Sequence, residues 1–196
     1  MRVVLATGNA GKIREFAELL GPLGFEFIPQ SQFGIDPPEE TGDTFVANAL
    51  LKARYAASRT GLPAMADDSG LEVDALGGAP GVRSARYAGE GAGDTANLEK
   101  LLYAMRGVDE SARSARFRCV IALVRDAQDA APVLGQGCWE GRILDAPRGN
   151  GGFGYDPIFA PVGQIRSVAE LPSLEKHAAS HRGSALRDLV RQWRAL

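Results

Sequence analysis

The chain has too few cysteines and too little net charge for several classes of protein. Its 196 residues include two cysteines, Cys119 and Cys138, and no CxxC pair, which excludes a disulfide framework. We expect both to be buried structural thiols in a reducing compartment. The formal net charge of −2 gives no electrostatic reason to expect a nucleic acid polymer as a partner.

Long apolar runs are missing as well. No run approaches the length that spans a bilayer, and the opening stretch MRVVLATGN is interrupted too soon to be a signal peptide. We therefore expect a cytoplasmic protein without a membrane partner. Hydrophobic residues make up 45% and charged residues 23%, which is typical of a globular protein. This length suits one domain over residues 1–196, or two lobes that share one sheet.

Hydrophobic periodicity predicts alternating strands and helices in the first half of the chain. Residues 2–6 and 25–30 are predicted strands, and residues 12–20 between them a helix. A longer helix is expected to follow an acidic, proline-containing loop, with Asp43 or Thr44 as its cap. The residues expected to form the inner stripe of this helix are Phe45, Ala49, Ala53 and Ala56.

The rest of the chain predicts two extended segments, a helix, a strand pair and a closing helix. The first segments, in LPAMADDSGLEVDAL, would be separated by a turn at Ser69 and Gly70, and Asp94 or Thr95 would cap the helix. ARFRCVIALVRD and VLGQGCWEGRIL would pair as strands. The closing helix, SALRDLVRQWRAL, would point four residues inward: Leu186, Leu189, Val190 and Trp193. This order favours an α/β fold with a mixed sheet.

The segment ATGNAGK, residues 6–12, joins the first predicted strand to the first predicted helix. Unpaired N–H groups at a helix start stabilise an anion, and Lys12 adds a full positive charge. A P-loop requires four residues between its first glycine and a GK pair that Ser or Thr follows, whereas two residues separate Gly8 from Gly11 and Ile13 follows Lys12. The residues alone leave three interpretations open: a degenerate P-loop, an ordinary tight turn, or a different phosphate cradle.

Acidic residues cluster at two places. Glu39 and Glu40 lie in a predicted loop, where they are either a solvated pair or metal ligands. Asp67 and Asp68 end an apolar run, where adjacent carboxylates need a cation or hydrogen-bond donors unless they only begin a turn. Magnesium is the natural cation, because it is usually held by one or two carboxylates together with substrate phosphates. Zinc is disfavoured, because the chain has no HExxH motif.

Two further stretches combine residue types that bind nucleotides. In GNGGFGYDPIF an aromatic ring could stack on a nucleobase, or the aromatic residues could simply belong to the core. EKHAASHRGSAL would supply positive charge and hydrogen-bond donors, or form a solvated basic stretch with Ser184 as a helix cap.

The order of these stretches along the chain decides between the alternatives. TGNAGK, EETGDTF, ADDSGLEVDALGGAPGVRSARYAG, GGFGYDPIF and SHRGSAL together resemble the inosine triphosphate pyrophosphatase family over nearly the whole chain. The resemblance implies Mg²⁺-dependent hydrolysis of deaminated purine nucleoside triphosphates (ITP, dITP, XTP) to the monophosphate and pyrophosphate, which cleanses the nucleotide pool. It also implies an elongated mixed sheet flanked by helices, an active-site cleft between two lobes, and a homodimer. His177 and Gln164 depart from the family pattern, which puts only the fine base preference in question.

The resemblance also implies roles for individual residues. Asp68 would be the catalytic carboxylate, orienting or deprotonating water, and would bind the metal together with Glu40. Asp67 would support it. The substrate would be bound by Thr7, Gly8, Asn9, Ala10, Gly11, Lys12, Ser69, Phe153, Gly154, Tyr155, Asp156, Lys176, His181 and Arg182. In that set, residues 7–12 would hold the triphosphate and residues 153–156 would form the nucleoside pocket.

Three alternatives to this function can be distinguished by experiment. A P-loop-like NTPase would cleave the γ-phosphate and release orthophosphate. A related pool-cleansing hydrolase would prefer modified pyrimidine nucleotides. A non-catalytic nucleotide-binding module would bind without turnover, and the adjacent Asp67 and Asp68 would then have no evident purpose.

Overall fold

The computed structural model describes residues 1–7, 12–13, 16 and 24–195, and within that part six strands form one sheet. The strands are β1 (Arg2–Leu5), β2 (Glu26–Pro29), β3 (Ala64–Val73), β4 (Ser114–Val124), β5 (Val133–Ile143) and β6 (Phe159–Pro161). Their order across the sheet is β2-β1-β3-β4-β5-β6. Strand β1 runs parallel to β2 and β3, whereas β5 and β6 are antiparallel. The predicted α/β class with a mixed sheet is therefore confirmed.

Four α-helices lie wholly within the described residues: α1 (Phe45–Thr60), α2 (Asp94–Ala104), α3 (Ser173–Ala179) and α4 (His181–Arg194). Thr44 caps α1, because its hydroxyl oxygen accepts a hydrogen bond from the Ala47 N–H at 3.1 Å. The predicted inner stripe of α1 is buried. None of the helices in the described part of the chain combines the length and the apolar character needed to cross a membrane.

The first of two compact units comprises Met1–Asp68, Cys119–Gly137 and Arg182–Leu196. Its core joins the β1, β3 and β4 strands to α4 through Val3, Leu5, Met65, Ile121, Leu186 and Leu189. Val190 and Trp193 pack against this core, so the four residues predicted to point inward from the closing helix do so.

The second unit comprises Ser69–Arg118 and Cys138–His181. Its core contains Leu71, Leu101, Met105, Phe117, Ile143 and Phe159. Two aromatic contacts organise it, since the Phe159 ring centroid lies 4.6 Å from that of Phe117 and 6.0 Å from that of Trp139.

Three local predictions are wrong. Strand β3 runs without interruption through Ser69, with β4 as its neighbour on one side of the sheet, whereas its pairing with β1 on the other side is at Ala64 and Met65. Neither Asp94 nor Thr95 caps α2; Gly93 takes that position, and Asp94 is the first residue of the helix. Cys138 is exposed on β5, with its Sγ 3.2 Å from Glu140 Oε1, whereas Cys119 is buried as expected.

Helix α4 packs closely over Gly135 of β5, and this contact gives a test of the first unit's core. A Cβ atom at Gly135 would overlap the Ala185 carbonyl oxygen and would lie 2.6 Å from Leu189 Cβ. We expect Gly135→Ala to lower the free energy of unfolding by about 1–3 kcal/mol, because backbone atoms of α4 must move to admit the methyl group.

Urea-induced unfolding would measure this loss. Gly93→Ala is the matched control, because a Cβ at Gly93 meets no atom within 4 Å and its φ of −80° suits alanine. The control should lose less than about 1 kcal/mol. Equal losses in the two variants would contradict the assigned packing.

Candidate functional site

Strand β3 buries two adjacent carboxylates, Asp67 and Asp68, which are 2% and 5% exposed. Successive side chains of a strand point to opposite faces. The two carboxylates accordingly contact different partners, as the alternation along the strand predicted. A buried carboxylate is unfavourable without such partners, so each needs its own set.

The partners of Asp68 come from helix α1. Asn48 Nδ2 donates to Asp68 Oδ2 at 3.2 Å, and Lys52 Nζ lies 3.3 Å from Asp68 Oδ1. Asn48 and Lys52 are four residues apart, so both lie on the same face of the helix. The buried face of α1 therefore supplies one neutral and one charged donor to the same carboxylate.

Helix α1 also holds the acidic loop that precedes it. Lys52 Nζ lies 2.6 Å from Glu40 Oε1, and the Gly42 N–H donates to Asn48 Oδ1 at 2.7 Å. Gly42 is required at this position, because a Cβ there would lie 2.6 Å from Asn48 Oδ1. Asn48 thus links the backbone of the acidic loop to Asp68, and Lys52 links Glu40 to Asp68.

Burial and the position of Lys52 between Glu40 and Asp68 determine the directions in which the pKa values of Asp68 and Lys52 shift. Burial raises the pKa of Asp68 above its ordinary value, and the nearby Glu40 carboxylate adds to the shift despite the opposing effect of Lys52. Burial alone would lower the pKa of Lys52, but the carboxylates of Asp68, Asp67 and Glu40 raise it instead. Lys52 is therefore an ammonium ion at neutral pH.

Asp67 contacts a different pair of cations. Its Oδ2 lies 2.7 Å from Lys12 Nζ and 3.6 Å from Arg182 Nε. Burial acts to raise the pKa of Asp67, yet Lys12, Arg182 and Lys52 together hold it well below its usual range. Asp67 is therefore a permanent anion that holds Lys12 and the start of α4 beside β3.

The predicted phosphate cradle is described in part. Thr7 and Lys12 lie among the described residues, and Lys12 is helical, whereas Gly8, Asn9, Ala10 and Gly11 lie outside them. The cradle interpretation of residues 8–11 consequently stays a prediction.

The oxygens of Glu40 and Asp68 suit a divalent cation. Both converge on one ammonium nitrogen, that of Lys52, so they already surround a position of positive charge. Within the described part of the chain, no group of three or more His, Cys, Asp or Glu side chains is placed to hold a metal. Two carboxylates nevertheless suffice for Mg²⁺ when substrate phosphates complete its shell. Asp67 is engaged with Lys12 and Arg182, and Glu39 is exposed, so the geometry favours Glu40 as the second ligand.

The second unit contains a cluster around the loop of residues 152–156. Lys176 Nζ lies 2.7 Å from Asp156 Oδ2 and 4.7 Å from the centroid of the Phe153 ring. The Phe153 side chain is exposed, whereas Tyr155 is buried and donates its hydroxyl proton to the Ser84 carbonyl at 2.8 Å. Of these two aromatic rings only that of Phe153 is accessible to a ligand, and that of Tyr155 belongs to the core.

The remaining predicted residues lie where the chain passes from one unit to the other. Ser69, which follows Asp68 in β3, and His181, the first residue of α4, belong to the second unit, and Arg182 belongs to the first. The His181 ring is stacked on Phe117, with centroids 4.8 Å apart and an angle of 12° between the rings. Both His181 and Arg182 are buried, and α4 begins before Ser184, so a solvated stretch capped by Ser184 is wrong.

Sequence reasoning missed Asn48 and Lys52. A signal for them exists, because they alternate with Ala49 and Ala53 on the inner face of an amphipathic helix. A lysine on the inner face of a helix needs a buried anionic partner. That partner can be identified only when the strand that the helix covers is known.

Comparisons with known proteins agree with these features. The profile of the Ham1 family matches residues 3–192. A dITP/XTP pyrophosphatase from Methylococcus capsulatus is 56% identical over 195 residues, covering 100% of this chain and 97% of its own. A dITP/XTP pyrophosphatase from Vibrio cholerae is 55% identical, and the match covers 97% of this chain and 95% of that relative. A HAM1 protein structure from Coxiella burnetii superposes with a TM-score of 0.93 at 51% identity and full coverage of both chains.

The shared position of Lys52 gives a stability test. Lys52→Met removes the counter-charge shared by the buried Asp68 and the half-buried Glu40. We expect the free energy of unfolding, measured by urea titration at neutral pH, to fall by about 3–5 kcal/mol. Adding Asp68→Asn to Lys52→Met should recover part of the loss, because one uncompensated charge disappears. A further loss of stability in the double variant would count against the assigned pairing.

Proposed function

The chain belongs to the Ham1 family, and we propose that it hydrolyses deaminated purine nucleoside triphosphates, ITP, dITP and XTP, to the monophosphate and pyrophosphate. Relatives that match the chain along almost its whole length are dITP/XTP pyrophosphatases. The observation that carries the proposal is the convergence of Glu40 and Asp68 on one cationic position beside the Asp67–Lys12 pair. Such activity removes nucleotides that would otherwise be misincorporated.

We propose Mg²⁺ as the cofactor, with Asp68 and Glu40 as its protein ligands. When bound, the ion neutralises phosphate charge and makes the phosphorus more electrophilic. The protein's own cations act alongside it: Lys12 and Lys52 lie at the two buried carboxylates and supply positive charge for a polyphosphate. Backbone N–H groups of the predicted cradle, residues 7–12, would contribute the remaining donors.

Asp68 is proposed as the catalytic residue that accepts a hydrogen bond from the attacking water and orients it toward the α-phosphorus. Asn48 supports this role, because its amide fixes Asp68 Oδ2 while its own oxygen holds the Gly42 N–H. An oriented carboxylate reduces the entropic cost of placing water in line with the bond to be cleaved. Pyrophosphate is then the leaving group, and no covalent intermediate is needed.

Base selection is proposed to lie with the second unit. The exposed Phe153 ring offers a stacking surface, and the Lys176 ammonium group lies beside it. An ammonium donor favours the 6-oxo group of hypoxanthine and xanthine over the 6-amino group of adenine, and a site built around one such hydrogen bond can discriminate by about 10⁴–10⁵. His181 and Arg182, with Ser69 and residues 154–156, complete the substrate-binding set in this proposal.

A single two-lobed domain with the cleft between its lobes, a homodimeric state and a cytoplasmic location belong to the same proposal.

Product analysis tests the proposed function directly. The purified protein would be incubated with Mg²⁺ and ITP, XTP, GTP or ATP, and the products separated by anion exchange. We expect IMP and XMP with pyrophosphate, and little GMP or AMP; because guanine shares the 6-oxo group, its rejection has to act on its 2-amino group. IDP with orthophosphate would instead indicate γ-phosphate cleavage. Binding of all four without turnover would leave a non-catalytic module or a pyrimidine-specific hydrolase, which the same assay with modified pyrimidine nucleotides separates.

Asp68→Asn tests the catalytic carboxylate. The change keeps the shape of the side chain and leaves Lys52 paired with Glu40, so the thermal midpoint should stay close to that of the wild type. We expect kcat for ITP to fall by about 10²–10⁴-fold. Glu72→Gln, on the same strand, is the matched control and should keep wild-type kcat. Wild-type turnover by Asp68→Asn would remove Asp68 from the mechanism.

A further inference from the structure

The loop of residues 152–156 is held by contacts from distant parts of the second unit. Tyr155 anchors the loop in the core of the second unit, because its buried hydroxyl donates to the Ser84 carbonyl at 2.8 Å. Its backbone turns sharply, with φ of +74° at Gly152 and +60° at Gly154. Gly152 is also required for space, because a Cβ there would overlap Asp156 Oδ2. The loop therefore has one tightly specified backbone path.

Two carboxylates fix successive peptide groups at the centre of this loop. Asp156 Oδ2 accepts the Phe153 N–H at 2.8 Å, and Asp94 Oδ2 accepts the Gly154 N–H at 2.7 Å. Asp156 acts from within the loop, whereas Asp94 lies 60 residues away, at the start of α2. Hydrogen bonds from a backbone N–H to a carboxylate are among the strong ones in proteins.

These bonds determine what the loop can offer a ligand. The N–H groups of Phe153 and Gly154 are both occupied by carboxylates, so they are not donors to a nucleotide. Their role is to hold the peptide planes on either side of the Phe153 Cα, from which its exposed ring projects. Asp94 is also close enough to Tyr155 to help raise the pKa of that hydroxyl, after burial and alongside Tyr87. Asp94 thus acts on the Gly154 N–H and on the Tyr155 hydroxyl.

We propose that Asp94 is a positioning residue for nucleoside recognition: its carboxylate fixes the Gly154 N–H and so sets the orientation of the Phe153 ring on which the base stacks. The proposal rests on the proposed function, and specifically on Phe153 as the base-stacking residue. This role gives a reason for an aspartate at the first position of α2. Its side chain does not cap the helix, and no other side chain does. The carboxylate serves the loop instead of the helix.

Steady-state kinetics with ITP and saturating Mg²⁺ test this role in the full-length protein. Asp94→Ala should raise KM by about tenfold while kcat stays within about twofold of the wild type, because the lost hydrogen bond affects base placement and not the phosphate site. Asp94→Asn should restore KM to near the wild-type value, because its amide oxygen can accept the same N–H. Inhibition by inorganic tripolyphosphate, which has no base, should be the same in all three proteins.

Glu99→Ala is the matched control, since Glu99 is an exposed acidic residue of the same helix and its removal changes the net charge equally. It should leave KM, kcat and the thermal midpoint unchanged. An unchanged KM in Asp94→Ala, an equal rise in KM in Asp94→Asn, or a parallel weakening of tripolyphosphate inhibition would each overturn the positioning role. Absence of ITP hydrolysis by the wild-type protein would overturn the proposed function itself, and the role of Asp94 with it.

Discussion

Two neighbouring carboxylates on one interior strand impose the main constraint on the first unit. Burying Asp67 and Asp68 removes both from water, and the cost is tolerable only with nearby positive charge and hydrogen-bond donors. Helix α1 supplies them on one face of β3 through Lys52 and Asn48. On the other face, Lys12 from the first helical stretch and Arg182 from α4 approach Asp67. One pair of residues is thus in contact with three helical segments.

The alternation of side chains along β3 separates two tasks that a single carboxylate could not combine. Asp67 stays ionised between Lys12 and Arg182, so its contribution is fixed and structural. Asp68 shares the ammonium group of Lys52 with Glu40, so one positive charge serves two carboxylates. A strand provides this division automatically, because adjacent residues are covalently linked but face opposite sides.

Sequence patterns predict residue types and periods but not the partners met after folding. The Thr44 cap and the need of Asp67 and Asp68 for cations or hydrogen-bond donors depend on local chemistry, so the sequence alone predicts both. Lys52 was missed, because its purpose depends on a strand 16 residues further on. Asp94 was misassigned as a helix cap for the same reason: its acceptor role involves a backbone N–H 60 residues away. Long-range polar contacts are what periodicity does not encode.

The unequal burial of Phe153 and Tyr155 has a consequence for how this protein can change over generations. Tyr155 is fastened into the core, so substitutions there lose stability and are removed by selection. The Phe153 ring is exposed and lies outside that core, so under the proposed function a new side chain there would change the surface offered to a base at a smaller cost to folding. Under the proposed function, the strength of base stacking could therefore vary between descendants of this protein while the scaffold stays fixed.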